Sequence, residues 1–316
     1  MTKYRVKLLI VFFTILFSFH TYFYDFAQGQ KTRTIATSDF NIAIAGDFGC
    51  NLEARKTIKA IESKQPELVI GLGDLAYKKN PICWFEMISP LDYNNKFKIA
   101  LGEHDVSRGN DTYKQYLQHF NLTKPYYSFD YDNVHFLAMA TAKNKIIPYN
   151  LTSEQYQFIK KDLADANKNQ NIKWIIVYSF RSFYSSNTTH PGLDELQDAY
   201  HPLFDRYNVD IIFQGHNHNY QRTYPLSYNT TKQYTPVVTD KNTEHYSNIE
   251  HGQLFVTAGT GGAEFYNFTG QAPYVVKQFL QHGFVNIDSI HDGSELQITF
   301  YNNDGIARDG ITIFKN

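Results

Sequence analysis

The first third of the chain contains three apolar segments that each end in a glycine followed by a side chain able to bind a metal ion. The segments have the length and composition of buried β-strands: Asn41 to Ala45, Glu67 to Leu72 and Lys96 to Leu101. They lead into Gly46-Asp47-Phe48-Gly49, Gly73-Asp74-Leu75-Ala76-Tyr77 and Gly102-Glu103-His104-Asp105. Helix-like sequence between the first two predicts a mostly parallel α/β sheet. Because the carboxyl ends of parallel strands share one edge, we expect these side chains to lie together.

A fourth strand delivers two histidines in the same way. The apolar run from Val209 to Gln214 ends in Gly215-His216-Asn217-His218. Imidazoles and carboxylates together are metal ligands, which predicts a metal-dependent hydrolase. Each of these motifs also has a purely structural explanation. Aspartates cap helices and turns, and loop histidines serve as hydrogen-bonding groups.

The remaining sequence continues the alternation of strands and helices. A hairpin is predicted from Tyr126 to Thr141, with its turn at Asp132-Asn133, and a capping box at Thr152 opens a helix that ends near Asn167. A strand at Trp174–Tyr178 leads into Ser179-Phe180-Arg181, and a helix follows near 193–206. Further strands are predicted at 253–257, 284–288, 295–301 and 310–314, the last two as a hairpin.

The N-terminus has the pattern of an export segment. Lys3, Arg5 and Lys7 precede the apolar run Leu8 to Phe19, which aromatic residues extend to about Tyr24. We therefore expect residues 1–30 to be a signal peptide or an N-terminal membrane anchor and residues 40–316 to form one domain. The expected location is outside the cell, either secreted or attached through residues 8–24 to the outer face of the membrane. Six Asn-x-Ser/Thr sequons are consistent with export.

The net charge limits the classes of ligand that the protein is expected to bind. The formal charge is -1, so no basic field predicts binding to nucleic acid. An anionic ligand must therefore be held by local groups.

The two cysteines, Cys50 and Cys83, either pair in an oxidising compartment or remain two free thiols, since sequence does not give the distance between them.

The four motifs in this order resemble the calcineurin-like metallophosphoesterases. Tyr77, the segment from Gly215 to Arg222 and the later Gly259-Thr-Gly-Gly262 resemble the purple acid phosphatase branch of that superfamily. The resemblance covers about residues 40 to 315. It implies a four-layer α/β/β/α sandwich, in which two packed mixed sheets are flanked by helices, and a phosphate-ester small molecule as substrate.

The resemblance also implies a role for each candidate residue. Asp47, Tyr77 and His218 would bind a first metal, Asp74 would bridge two metals, and His216 would bind the second. One or two ions are expected, with iron in the first position and iron, zinc or manganese in the second. His104 is expected to meet the substrate or protonate the leaving group, with Asp105 orienting its ring. His190 would be a second phosphate contact, although it is equally compatible with a surface role.

Two residues depart from the family pattern, and both belong to the second metal. Glu103 stands where the family has asparagine, and Phe180 stands where it has a histidine. Glutamate still offers an oxygen ligand, whereas phenylalanine offers none. Glu103 is therefore either a ligand or an unliganded substitute, and Arg181 beside Phe180 is an alternative phosphate contact. We expect a secure first site and a weak, altered or empty second one. The leading prediction is a phosphoesterase; the alternative is a degenerate relative that binds metal or ligand with little turnover.

Overall fold

A computed structural model describes residues 40–107, 110–142, 147–232, 235–247 and 252–315. These residues belong to one compact unit, Ser38–Asn316. The predicted export segment lies outside the described residues. Within the described ranges, no helix has both the length and the apolar character needed to cross a membrane.

The strands and helices alternate along the first two thirds of the chain and give way to strands alone in the last third. The strands are β1 (Phe40–Ala45), β2 (Leu68–Leu72), β3 (Phe97–Ala100), β4 (Tyr127–Tyr131), β5 (Val134–Met139), β6 (Trp174–Ser179), β7 (Ile211–Gln214), β8 (Tyr220–Thr223), β9 (Leu226–Ser227), β10 (Val237–Val238), β11 (His245–Ser247), β12 (Leu254–Ala258), β13 (Val275–Phe279), β14 (Gly283–Ile290), β15 (Glu295–Asn302) and β16 (Ala307–Phe314). The helices are α1 (Leu52–Glu62), α2 (Ile82–Ile88), α3 (Glu103–Val106), α4 (Asn110–His119), α5 (Glu154–Ala166) and α6 (Asp194–Arg206), with a 3₁₀ turn at Tyr93–Asn95.

Two seven-stranded sheets carry the fold. The first has the order β11-β16-β15-β14-β1-β2-β3, and the second has the order β13-β8-β12-β7-β6-β5-β4. Strands β1, β2 and β3 run parallel in the first sheet, and β5, β6, β7 and β12 run parallel in the second. The parallel strands of each sheet therefore present their carboxyl ends as a row, and the loops that follow those ends carry the predicted ligands.

The two sheets pack face to face, and helices cover their outer faces. Ile42 and Ile44 of β1 share one buried cluster with Phe136 of β5 and Ile176 of β6, which is the layer between the sheets. The neighbouring Ala43 points the other way, because side chains alternate along a strand, and it packs in the cluster that contains side chains of α1, α2 and α4. A third cluster joins the second sheet to α5 and α6. The predicted four-layer α/β/β/α arrangement is confirmed.

A buried ion pair also connects the two sheets. Arg222 of β8 donates from Nε and Nη2 to the two carboxylate oxygens of Asp309 in β16, at 2.6 and 2.9 Å. The Tyr220 hydroxyl donates to the same carboxylate. Both charged side chains are nearly inaccessible to solvent, so each charge depends on the other for its solvation.

The structure refines several predictions made from the pattern alone. The sheets are mixed rather than mostly parallel, because in the first sheet β14 pairs antiparallel with β1, β15 with β14 and β16 with β15. The N-cap of α5 is Ser153, whose side chain accepts from the Tyr156 amide; the predicted capping box at Thr152 is one residue too early. Helices α2, α3 and α4, the short strands β8 to β11 and the edge strand β13 were not predicted.

Cys50 and Cys83 form a disulfide, which answers the question that their spacing left open. Their Cα atoms lie 6.0 Å apart. Cys50 directly follows the loop that carries Asp47, and Cys83 lies in α2 after the loop that carries Tyr77. The cross-link therefore ties together the two loops that lead away from the candidate site.

Removing this cross-link is expected to destabilise the domain. The two cysteines are separated by 33 residues, and a closed loop of that length reduces the entropy of the unfolded chain. We predict that replacing both Cys50 and Cys83 by serine lowers the free energy of unfolding by about 3–4 kcal/mol, measured by urea denaturation. A reductant should shift the midpoint of the wild type but not that of the variant. Equal midpoints for the oxidised wild type and the variant would contradict the prediction.

Candidate metal centre

Backbone hydrogen bonds hold together the loops that carry the predicted ligands. The amides of Asp47 and Gly49 donate to the carbonyls of Gly73 and Leu75, which joins the loops after β1 and β2. The Ala263 amide donates to the Asp47 carbonyl, which adds the loop after β12. The His216 amide donates to Asp47 Oδ2 at 2.9 Å and so attaches the loop after β7. Loops from both sheets thus meet around one carboxylate.

Three predicted ligands bring their donor atoms together at this point. Tyr77 Oη lies 2.8 Å from His218 Nε2 and 3.1 Å from Asp47 Oδ1. His218 Nε2 lies 3.4 Å from the same carboxylate oxygen. We call Asp47, Tyr77 and His218 the first position.

These distances suit a shared metal ion. Bonds of about 2.0–2.2 Å to one ion separate neighbouring donor atoms by about 2.8–3.6 Å in octahedral or tetrahedral geometry. The three observed separations fall in that range. If only His, Cys, Asp and Glu are considered, the described residues contain no group of three or more that could hold a metal ion. The third donor of the first position is the Tyr77 phenol, and the set fits a hard cation such as iron.

The ring of His218 is oriented for metal binding by its other nitrogen. Nδ1 lies 2.6 Å from the Glu264 carbonyl, which only accepts, so Nδ1 carries the proton. In the neutral ring this leaves the Nε2 lone pair facing Tyr77 and Asp47. The Tyr266 ring stacks on His218 with centroids 4.0 Å apart and fixes the plane of the imidazole. Sequence reasoning missed Tyr266, which no motif distinguishes among 24 tyrosines.

The centre concentrates buried carboxylates that favour a bound cation. Asp47, Asp74 and Asp105 have at most 3% of their surface exposed. Burial, followed by the charges of Asp105 and Asp47, raises the pKa of Asp74 well above its usual value. Burial also raises the pKa of Asp105 to about 6. Buried carboxylates are normally paired or bound to metal, and a cation would remove the repulsion among these three.

Glycines allow other loops to approach these carboxylates. A Cβ added at Gly102 would lie 2.2 Å from Asp74 Oδ1, and one added at Gly259 would lie 2.7 Å from Asp47 Oδ2. The backbone at Tyr77 is in the left-handed region, with φ of 56°, which is uncommon for a bulky residue. Such strain persists where surrounding contacts enforce it, often at functional sites.

Asp105 contacts the loops rather than solvent. Its carboxylate accepts from the amides of Leu75 and Gly102 at 3.0 and 2.9 Å. The side chain therefore holds the loop after β2 against the loop after β3. Its predicted role as orienter of His104 stays a prediction.

His104 and His190 both lie at the edge of the centre. The His104 ring is 41% exposed, has its Nε2 3.9 Å from Asp74 Oδ2, and lies 4.6 Å from the Tyr77 ring between centroids. His190 stacks on His216 at 3.8 Å between centroids. Burial, then the charges of His218 and Arg181, lower the pKa of His190. The structure thus brings both predicted substrate contacts to the same place.

The side chains predicted for the second metal are arranged differently from those of the first. We call Asp74, Glu103 and His216 the second position. Glu103 forms an ion pair with Arg181. Phe180 is fully buried, and its ring lies 4.7 Å from that of His216 between centroids. A Cβ added at Gly73 would lie 2.8 Å from Phe180 Cδ2, so the phenyl ring fills the space between Gly73 and His216.

The positive charge of Arg181 also acts on Asp74 and His216 of the second position. Burial lowers the pKa of Arg181, and the charges of Glu195 and Asp74 oppose that shift. Burial, then the charges of His190 and Arg181, lower the pKa of His216 to about 2. The guanidinium of Arg181 thus lies among the side chains that were predicted to bind a second metal ion.

A cleft of about 590 Å³ opens beside the first position. Tyr77, His218 and Tyr266 line it together with the exposed Lys78. The volume is that of a small-molecule site. A bound ion in the first position would therefore be reachable from solvent.

Comparison with known proteins agrees with this fold. The sequence model of the calcineurin-like phosphoesterases matches residues 33–220. Two sheets between helices, with carboxylates and histidines at the strand ends, define a metallophosphoesterase, and the chain belongs to the calcineurin-like phosphoesterase family.

The relatives belong to the purple acid phosphatase branch. The chain is 24% identical over 321 residues to a probable inactive purple acid phosphatase 27 of Arabidopsis thaliana, which covers 93% of this chain and 49% of the relative. It is 28% identical to purple acid phosphatase 21 of the same plant, over 70% of this chain and 49% of the relative. The structure of the yellow lupin seed purple acid phosphatase PPD1 superposes with a TM-score of 0.74 and 25% identity, covering 89% of this chain and 54% of that one. The chain thus spans about half the length of these proteins.

The first position predicts that metal binding depends on His218. Replacing His218 by alanine removes one of three donors, and loss of even an outer hydrogen-bonding partner typically costs about 10–100-fold in metal affinity. We expect at least about a 10-fold loss, measured by metal analysis after equilibration with graded free iron or zinc. His245, an exposed histidine on β11, is the matched control for alanine substitution. Full retention of metal in the His218 variant would contradict the assignment.

Proposed function

We propose that this protein hydrolyses phosphate esters in a metal-dependent reaction. The observation that carries the proposal is the set of three donor atoms at 2.8–3.4 Å from one another in Asp47, Tyr77 and His218. Family membership supports the same reaction class. The cleft beside these residues gives a small ester access to them.

The residues divide the work between binding and proton transfer. Asp47, Tyr77 and His218 would hold an iron ion, since a carboxylate and a phenolate suit a hard cation. An ion bound there would supply Lewis acidity and lower the pKa of a coordinated water. Tyr77 must lose its proton to bind, although burial and the charges of Asp47 and Asp74 raise its pKa, so metal binding releases a proton.

His104 is the residue proposed to contact the ester and to protonate its leaving group. Its ring is partly exposed and close to Asp74 and Tyr77, so it can contact a substrate oxygen and donate a proton to the leaving group. His190, stacked on His216, would face the phosphate from the other side.

The second candidate is a protein that binds metal and ligand with little turnover. The buried phenyl ring of Phe180 against His216 favours it, because a carbon ring occupies the place of an expected ligand. The two functions differ in turnover and not in the first position.

Hydrolysis of p-nitrophenyl phosphate tests the proposal. We expect turnover in the presence of iron, manganese or zinc, and a fall in kcat/KM of about 100-fold or more for Asp47→Asn, since metal assistance contributes several kcal/mol. Asp304→Asn, in the exposed turn between β15 and β16, is the matched control and should retain full activity. Metal-loaded protein that shows no turnover with any of the three metals would sink the enzyme proposal and favour the second candidate.

We also propose that residues 1–30 direct export and that residues 40–316 are the phosphoesterase domain. The disulfide supports an oxidising compartment. The sequon asparagines at 121, 150, 187 and 267 are exposed, and Asn229 is partly exposed.

Export predicts glycosylation of these asparagines. Protein isolated from its native source should migrate faster on a denaturing gel after treatment with an N-glycosidase, by a few kilodaltons per glycan removed. Replacing Asn187 and Asn267 by glutamine should reduce that change in mobility. Identical migration before and after treatment would argue against this route of export.

A further inference from the structure

The second position contains a positive charge that belongs to the protein itself. Arg181 follows Phe180 at the end of β6, and only 9% of its side chain is exposed. Its amide donates to Thr141 Oγ1 at 2.8 Å, and its carbonyl accepts from the Ser179 hydroxyl at 3.1 Å. The backbone that carries the guanidinium is therefore held in place.

The guanidinium forms one direct contact in the second position, and its positive charge acts on the two other side chains. It forms an ion pair with Glu103, and it acts electrostatically on Asp74 and on His216. Glu103 and Arg181 are 78 residues apart in sequence and follow strands of different sheets, β3 and β6, so only the fold brings them together.

We propose that the Glu103–Arg181 ion pair takes the place of the second metal ion, so that the centre holds one ion and uses Arg181 as its other positive charge. The inference rests on the proposed function for the first position and specifies how the same centre is built. It assigns linked roles to three residues. Phe180 stands in place of a metal-binding side chain, Arg181 supplies a positive charge, and Glu103 supplies the negative charge that pairs with it.

Charge and ligand chemistry both oppose a second ion here. A metal bound by Asp74 and His216 would lie near a fixed guanidinium, and the two cations would repel each other in a region of low dielectric constant. Glu103, the third oxygen donor, is already engaged by Arg181. Phe180 contributes no donor atom and packs on His216. The residues present therefore do not fit a second metal.

A guanidinium can perform the electrostatic part of the second ion's role. It is always charged, and its planar donors match the oxygens of a phosphate. Arg181 Nε is buried and has no hydrogen-bond partner among the described residues. An orphaned buried donor beside an ion pair is accounted for when an anion binds there. We expect Arg181 to contact the phosphate opposite the metal in the first position.

Metal stoichiometry tests the proposal without relying on activity. Metal-free full-length protein is loaded with Mn²⁺ or Zn²⁺, freed of unbound ions and analysed by mass spectrometry. The wild type should bind about one ion per chain. Arg181→Gln removes the repulsion and releases Glu103 to join Asp74 and His216, so it should bind about two, a gain that misfolding cannot produce. The double variant Glu103→Gln with Arg181→Gln removes the released ligand as well and should return to about one.

The outcomes separate this inference from the proposed function. Two tightly bound ions in the wild type, or one ion in both the wild type and Arg181→Gln, would overturn the ion-pair proposal and leave the first position intact. No bound ion in the wild type would overturn the proposed function itself, and this inference with it.

Binding of inorganic phosphate provides the second measurement. With one ion per chain in both proteins, the double variant should bind phosphate at least about 10-fold more weakly than the wild type, because a charge-assisted contact is lost. Lys168→Gln, which removes an exposed positive charge outside the cleft, is the control and should leave the affinity unchanged. Equal phosphate affinity in the double variant and the wild type would refute the role of Arg181 in binding the anion.

Discussion

The structure of the centre depends on the buried carboxylate of Asp47. One oxygen accepts the His216 amide from the second sheet, and the other lies within 3.4 Å of Tyr77 Oη and His218 Nε2. Asp47 itself lies in the loop that follows β1 of the first sheet. A single fully buried carboxylate is therefore surrounded by loops from both sheets, and those loops have to supply its polar contacts. The proposed cation would add to them. This requirement explains why glycines line the carboxylates and why Tyr77 accepts an unfavourable backbone conformation.

The first and second positions differ in the cation that can neutralise their carboxylates. Asp47, Tyr77 and His218 leave donor atoms directed at one point, which suits an ion from solution. In the second position, Glu103 instead forms an ion pair with Arg181, a cation that is covalently part of the chain and whose charge also acts on Asp74 and His216. A covalent cation cannot exchange or activate water, but it still neutralises carboxylates. In the proposed arrangement, the charge balance of the centre would be kept with a single bound metal ion.

The local patterns predicted most of the architecture that positions the site. Apolar runs that stop at glycine located β1, β2, β3 and β7, and an apolar run that ends before Phe180-Arg181 located β6, because buried strands need continuous apolar sequence. The elements that were missed have weak local signals. The edge strand β13 is only partly buried, and the polar helix α4 resembles a loop in composition. Such elements form because neighbours pair or pack with them, and that information is absent from a short window of sequence.

The sequence by itself determined which side chains end which strands, and hence the ligand types available to the centre, because strand periodicity and glycine breaks act over a few residues. Only the tertiary structure decided which of those side chains meet. Tyr77 and His218 are 141 residues apart, and Glu103 and Arg181 are 78 apart. Contacts over such separations depend on the packing of two sheets and on the direction of each loop. The same packing joined Cys50 to Cys83 and paired Glu103 with Arg181, which no spacing along the chain could reveal.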